Sequence, residues 1–235
     1  MGGPLPAAPD PDHHPRVNLS GLHRRLLADV IAIGSPYPLV LTGGYAVQAH
    51  GLVDRLSQDL DVATENPAPM EDIAADLVHE LAKRGWAVEV VAVDPLAARL
   101  MVTDPVDGAR CEVDVLKENL WSAPENTEYG PVLALDDVIG TKVRALADRG
   151  APRDLIDVQA AHRLRRRDLG ELERLGARHG RDEFRLDDLR DRLAGSEWYD
   201  DEEFAEYGLD ADAIADLREW ARRWVIDLEG RLTDD

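Results

Sequence analysis

The stretch "GGYAVQAHGLVDRLSQDLDVATE", Gly43–Glu65, decides the reading of the fold. A short apolar run, Pro38–Thr42, precedes the two adjacent glycines and reads as a strand. Tyr45–His50 then has room for one or two helical turns, and Asp59–Ala63 alternates polar and apolar as a half-buried strand does. In such a strand Asp59 and Asp61 share one face while Leu60 and Val62 point into the core. Two carboxylates held that close repel unless cations sit between them, and hard divalent ions such as Mg²⁺ take oxygen ligands. A pair of such ions can hold both the attacking and the leaving oxygens of a phosphoryl displacement. Gly43 and Gly44, between a strand and a short helix, let backbone N–H groups approach phosphates closely. An ordinary turn followed by an edge strand would use the same residues, so the rest of the chain has to decide.

Working outward, Leu22, Leu26, Leu27, Val30 and Ile31 recur at helical spacing after Ser20, a suitable N-cap. Met70, Ile73, Ala74, Leu77 and Leu81 form a second amphipathic stripe. Strands are expected over Ala87–Val93, Arg99–Thr103 and Arg110–Leu116. In the last of these Glu112 and Asp114 share one face, and Cys111, Val113 and Val115 the other, so a neighbouring strand can bring a third carboxylate to Asp59 and Asp61. From Asp136 onward the pattern is helical, with four helices expected. One spans Asp137–Arg149, the next starts near Pro152, and the last carries Ile214, Leu217, Ala221, Trp224, Val225 and Leu228 on one stripe, where Trp220 and Trp224 read as core. The expected class is α+β, a mixed sheet followed by a helical bundle. Its expected division is a disordered leader over 1–18, an α/β domain over 19–131 and a helical domain over 132–235 that turns acidic from about 182.

Composition narrows the partners. The 235 residues hold 27 Lys or Arg against 47 Asp or Glu, a net charge of −20, so any polyanion must meet a local basic patch rather than the overall field. Residues 140–181 supply one, with eleven Lys or Arg against six Asp or Glu, including Arg163, Arg165, Arg166 and Arg167. Such a run also suits a solvated helix face balancing the acidic segment that follows. The single cysteine, Cys111, cannot form an internal disulfide, which points with the missing signal-peptide pattern to a reducing cytoplasm. The one long uncharged run, Val30–Val53, is broken by Ser35-Pro36-Tyr37-Pro38 and by the glycine pair, so no membrane span is expected.

Lys142 is one of three lysines in a chain with twenty-four arginines. A compact ammonium aimed at a triphosphate is a reason to keep lysine there. Arg149 lies two turns further along nearly the same face. Asp154 falls in the first turn of the next helix, where it serves either as a dipole-favoured cap or as the partner of Lys142.

"LTGGYAVQAHG" followed by "RLSQDLDV", and later "DDVIGTKVRALADRGAPRDLIDV", resemble the nucleotidyltransferase signature of the DNA polymerase beta-like superfamily. The form Arg55-x-Ser57-x-Asp59-x-Asp61 most resembles the AbiEii/AbiGii toxin-like branch, which includes the MenT toxins. The likeness covers roughly residues 38–160. It implies a nucleotide and metal loop made of Gly43, Gly44, Ser57, Asp59 and Asp61, with Asp59, Asp61 and Asp114 as Mg²⁺ ligands at a two-ion site. Asp114, or Glu112 on the same face, would accept the proton of the attacking hydroxyl. The functional lysine and aspartate of the branch map onto Lys142 and Asp154. Ser57 stands where toxins of this branch carry an active-site serine that an antitoxin kinase phosphorylates in some members, and a simple turn hydrogen bond is the alternative. The implied activity is transfer of a nucleoside monophosphate from an NTP to the 3′ end of tRNA, by a toxin with a cognate antitoxin and with Arg163–Arg167 on the RNA. An aminoglycoside-like molecule or a protein hydroxyl as acceptor, or a non-catalytic binding or antitoxin module on the same fold, are the competing readings.

Overall fold

The computed structural model describes residue 17 and residues 19–55, 57–179 and 183–233. The leader expected over 1–18 lies outside the described residues apart from Val17, which is buried. α1, Gly21–Ile33, opens with the Ser20 hydroxyl accepting the His23 N–H and buries Leu26, Leu27 and Val30. β1 is only Val40–Leu41, with Pro38 and Thr42 outside it, and α2 runs over Gly43–Ala49. β2 is Leu60–Thr64, so Asp59 stands one residue before the strand rather than in it. α3, Met70–Lys83, buries the expected stripe of Met70, Ile73, Ala74, Leu77 and Leu81. β3 (Ala87–Asp94), β4 (Ala97–Thr103) and β5 (Arg110–Lys117) follow as an antiparallel meander, each where the alternation placed a strand.

Two further strands, β6 (Glu125–Thr127) and β7 (Gly130–Val132), form a hairpin that the sequence reading did not include. Each has three residues, neither alternates, and Pro131 argues against a strand until the pairing is seen. They complete a seven-stranded mixed sheet in the order β3-β4-β5-β2-β1-β7-β6. β2 and β5 pair in parallel, which sets Asp61 beside Asp114.

The helical half holds six α-helices among the described residues, not the four expected. They are α4 (Leu135–Arg149), α5 (Pro152–Leu164), α6 (Leu169–Arg178), α7 (Leu186–Ala194), α8 (Asp201–Ala205) and α9 (Ala211–Leu232), with a 3₁₀ turn at Gly195–Trp198. The short helices were hidden because they bury few residues; α7 buries only Leu189 and Leu193 among five charged positions. α4 packs against α5, α6 and α7, and also against α2, which joins the bundle to the sheet. Leu217, Trp224 and Leu228 of α9 are fully buried, Trp220 is nearly so, and one continuous apolar core runs from β1 to α9.

Candidate active site

β1 runs antiparallel to β2, so the chain leaving Leu41 reaches Asp61, whose carbonyl accepts the Thr42 N–H at 2.9 Å. The next residue, Gly43, has φ +61°, and a Cβ there would overlap the Asp61 carboxylate. At Gly44 a Cβ would lie 2.6 Å from the Ser57 hydroxyl. Each glycine thus makes room for one functional side chain, besides any role toward phosphate. Ser57 donates to the carbonyl of Asp59 at 3.2 Å, the turn bond that one reading of this residue required. From below, the hydroxyl of fully buried Tyr45 donates to the Ser57 carbonyl at 3.0 Å and meets Nδ1 of His23. Burial depresses the His23 imidazole, against a smaller opposing pull from Asp59.

Asp61 and Asp114 are direct neighbours in the parallel β2–β5 register, and Arg99 of β4 is the antiparallel neighbour of Asp114. Burial, followed by the charges of Asp114 and Asp59, holds the Asp61 carboxyl above the ordinary carboxylate range, against the pull of Lys142 and Arg153. Arg99 grips Asp114 with both arms, Nε to Oδ1 at 2.9 Å and Nη2 to Oδ2 at 2.7 Å, and its Nε lies 3.2 Å from Glu112. Glu112 is also raised, chiefly by burial, with Arg99 opposing and Asp114 and Asp59 adding to the rise. Arg153 reaches Asp59 at 3.8 Å. Guanidinium groups thus balance an acidic face that would otherwise repel itself.

Lys142 sits behind this face. Its ammonium is 2.8 Å from Asp157 and 3.5 Å from Asp154, and both carboxylates are fully buried. Arg55 donates to both oxygens of Asp157 at 3.0 and 2.9 Å, and Arg149 to both oxygens of Asp154 at 2.7 and 3.0 Å. Burial pushes Asp154 up, but the Arg149 hydrogen bonds and Lys142 outweigh it, so its net direction is down. Of the two readings of Asp154, the geometry is that of a partner to Lys142 and Arg149. The sequence reading missed Asp157, although it lies one turn after Asp154 on the same helix face. It also gave no role to Arg55, although that residue opens the Arg55-x-Ser57-x-Asp59-x-Asp61 form, and missed Arg99, which only the β4–β5 register reveals.

These side chains line a cleft of about 940 Å³ between the sheet and α4. Gly43, Gly44, Ser57, Asp59, Asp61, Asp114, Lys142 and Arg149 all reach it, and Asp154 lies beneath. Eight Lys or Arg and seven Asp or Glu line it, a local balance far from that of the whole chain. The arginines of the 163–167 cluster do not line it. Arg163 pairs with Asp216, Arg165 with the His50 carbonyl, and Arg167 with Asp136 at 2.6 Å and Glu171 at 3.7 Å. Among the described residues no helix is long and apolar enough to cross a membrane.

JHP933 from Helicobacter pylori has a similar solved structure, with a TM-score of 0.56 and 17% identity over 92% of this chain and 97% of that one; at that identity the likeness shows the fold alone. MenT4, a nucleotidyltransferase toxin from Mycobacterium tuberculosis, is also similar, with a TM-score of 0.45 and 16% identity over 88% of this chain and 91% of that one. No curated protein matches in sequence. The family described as "Nucleotidyl transferase AbiEii toxin, Type IV TA system" matches residues 25–227, which takes in the cleft and most of the helical half. The chain belongs to this AbiEii family and is a nucleotidyltransferase of the toxin–antitoxin class.

Proposed function

We propose that the protein transfers a nucleoside monophosphate from an NTP to the 3′ hydroxyl of tRNA in a Mg²⁺-dependent reaction. One observation carries the reading above the others. Asp61 and Asp114 stand side by side on parallel strands, with Asp59 one residue before β2, where Gly43 has no Cβ. Among the described residues no three carboxylates stand close enough together to hold a metal ion as they are, and Arg99 takes both oxygens of Asp114; the oxygen donors are nonetheless of the kind a hard cation takes, with Asp61 raised first by burial and then by the charges of Asp114 and Asp59.

Asp59, Asp61 and Asp114 would hold the ions, which when bound supply charge to the α-phosphate oxygens and lower the pKa of the attacking hydroxyl. Gly43 and Gly44 offer backbone N–H groups to the phosphates, with the Ser57 hydroxyl beside them. Lys142 and Arg149 carry positive charge toward the same space, anchored by Asp154 and Asp157. The acceptor oxygen bonds to the α-phosphorus, the bond from that phosphorus to the β-bridging oxygen breaks, and pyrophosphate leaves. The hydroxyl proton passes to Asp114 once Arg99 frees an oxygen, or to Glu112.

The near-balanced lining of the cleft, eight Lys or Arg against seven Asp or Glu, supports a polyanionic acceptor there rather than elsewhere on a chain of net charge −20. Outside the cleft, Arg163 and Arg167 sit in half-exposed pairs that solvent and salt screen, so they exchange readily for RNA phosphates. The test is incubation of the protein with each labelled NTP, Mg²⁺ and total RNA, with Asp59→Ala as control. Label on the tRNA 3′ end, absent from the control, is expected. Label on an aminoglycoside or a protein and none on RNA would overturn the acceptor.

A further inference from the structure

The lining of the cleft extends beyond Asp59, Asp61 and Asp114 to Glu118, Asn119 and Arg178. β5 leads into residues 118–124, which form neither helix nor strand, yet three successive residues there are tied to three separate places, the loop after β2, α6 and α4. The Leu120 N–H donates to Glu65 Oε1 at 2.8 Å, the Trp121 indole N–H to the Arg178 carbonyl at 3.1 Å, and the Ser122 N–H to the buried Asp137 Oδ2 at 3.0 Å. A segment fixed this firmly nonetheless holds Trp121 at 56% exposure. The only polar group of the ring is satisfied, so the ring is set in orientation and shows a flat apolar surface.

Its surroundings belong to the cleft. Glu118 and Asn119 just before it line the cleft, and so does Arg178, which has no ion-pair partner among the described residues. Trp121 itself is not among the lining residues, though its loop neighbours Glu118 and Asn119 are, whereas no residue of the 3₁₀ turn that carries Trp198, 88% exposed, lines the cleft. Along β5, Asp114 to Lys117 is roughly 10 Å at about 3.3 Å per residue, and Trp121 follows four residues beyond that strand end.

We infer that Trp121, with Arg178 beside it, is a stacking platform for an unpaired nucleobase. Aromatic faces bind every base, and a neighbouring guanidinium adds charge toward the sugar-phosphate chain. The base belongs either to the nucleotide substrate or to the single-stranded end of an RNA acceptor, and only the second source rests on the tRNA reading above.

The experiment uses the full chain and measures binding alone, so it stands even if no transfer to RNA is found. Wild type, Trp121→Phe, Trp121→Ala and Trp198→Phe are titrated with each NTP and, separately, with a labelled RNA hairpin ending in a few unpaired 3′ nucleotides. Tryptophan emission reports stacking, and anisotropy of the RNA reports affinity. Quenching is expected in wild type and Trp198→Phe and absent in Trp121→Phe, which keeps near-normal affinity because it keeps a ring. Trp121→Ala is expected to lose about ten-fold, or about 1.4 kcal/mol. Loss in the NTP arm assigns the platform to the nucleotide base, and loss in the RNA arm to the acceptor. Undiminished quenching in Trp121→Phe, with unchanged binding of both ligands by Trp121→Ala, would overturn the inference; should Trp121→Ala fail to fold, the quenching comparison decides.

Discussion

Asp157→Asn removes one negative charge while keeping the shape of the side chain. Asp157 is fully buried and holds two cations, Arg55 through both carboxylate oxygens and Lys142 at 2.8 Å, and the Arg55 and Lys142 side chains are each only 9% exposed. At 2.8 Å and an effective dielectric of about 20, one such attraction is roughly 6 kcal/mol before desolvation is counted. Burial of the charges offsets much of it, and Asp154 still faces Lys142. Removing one partner of a buried pair typically costs about 3–5 kcal/mol, because the remaining charge stays out of water uncompensated. In a chain of this size each kcal/mol moves Tm by about 2–4 °C, so a fall of roughly 6–20 °C is expected.

Thermal unfolding followed by circular dichroism, at low salt and near 1 M salt, is the assay. The loss should persist at high salt, since buried pairs are screened far less than exposed ones. A companion triple variant, Asp157→Leu with Arg55→Met and Lys142→Met, should recover most of the stability, because a well-packed apolar set replaces a buried ionic one at little net cost. An Asp157→Asn protein within about 1 kcal/mol of wild type, or a loss that high salt erases, would refute the account of this network as a buried anchor for Lys142.

His179 is 3% exposed and depressed below the ordinary 6.5, chiefly by burial and against the pull of Asp137, which lies 3.3 Å away. The neutral imidazole therefore contributes stability that is present above pH 6.5 and lost as pH falls through the folded value; His179→Gln should flatten that slope in Tm-versus-pH profiles. Arg99 occupies both oxygens of Asp114, so Arg99→Ala should bind Mg²⁺ more tightly in thermal-shift titrations. Weaker binding would mean that Arg99 orients the carboxylate instead of competing for it. The Cys111 thiol, buried and pushed up to about 12, first by burial and then by Asp59, should resist iodoacetamide at pH 8 in the native protein and react once unfolded.

How much of this was legible depends on how local each cause is. Asp59, Asp61, Glu112 and Asp114 could be placed on faces because a strand's period of two is a local property. That Asp61 meets Asp114 is not local. It follows from a parallel pairing of segments about fifty residues apart, and with it comes Arg99, whose role no pattern around residue 99 announces. The β6–β7 hairpin was illegible for a related reason: Gly130-Pro131-Val132 becomes a strand through pairing with β6 on one side and with Leu41 of the distant β1 on the other. Asp157 was within reach, since one turn from Asp154 on a buried face is a readable signal.

Charge was the most misleading local quantity. Counted along the chain, Arg163–Arg167 form the basic feature, yet Arg163 and Arg167 are ion-paired and Arg165 holds a backbone carbonyl. The cleft draws its eight cations from Arg55, Arg99 and Lys117 and, within the basic 140–181 stretch, from Lys142, Arg144, Arg149, Arg153 and Arg178, a span of more than a hundred residues, and mixes them with carboxylates. The fold therefore adds Arg55, Arg99 and Lys117 to cations of the basic 140–181 stretch and sets eight Lys or Arg against seven Asp or Glu in one cleft, while the net charge of the chain stays at −20. A field with a range of about 8–10 Å at ordinary ionic strength is set by such gathering, not by the total. An acidic protein can for that reason offer a polyanion one near-balanced cleft while repelling it over most of its remaining surface, and under the proposed function that would direct an RNA end toward Asp59, Asp61 and Asp114.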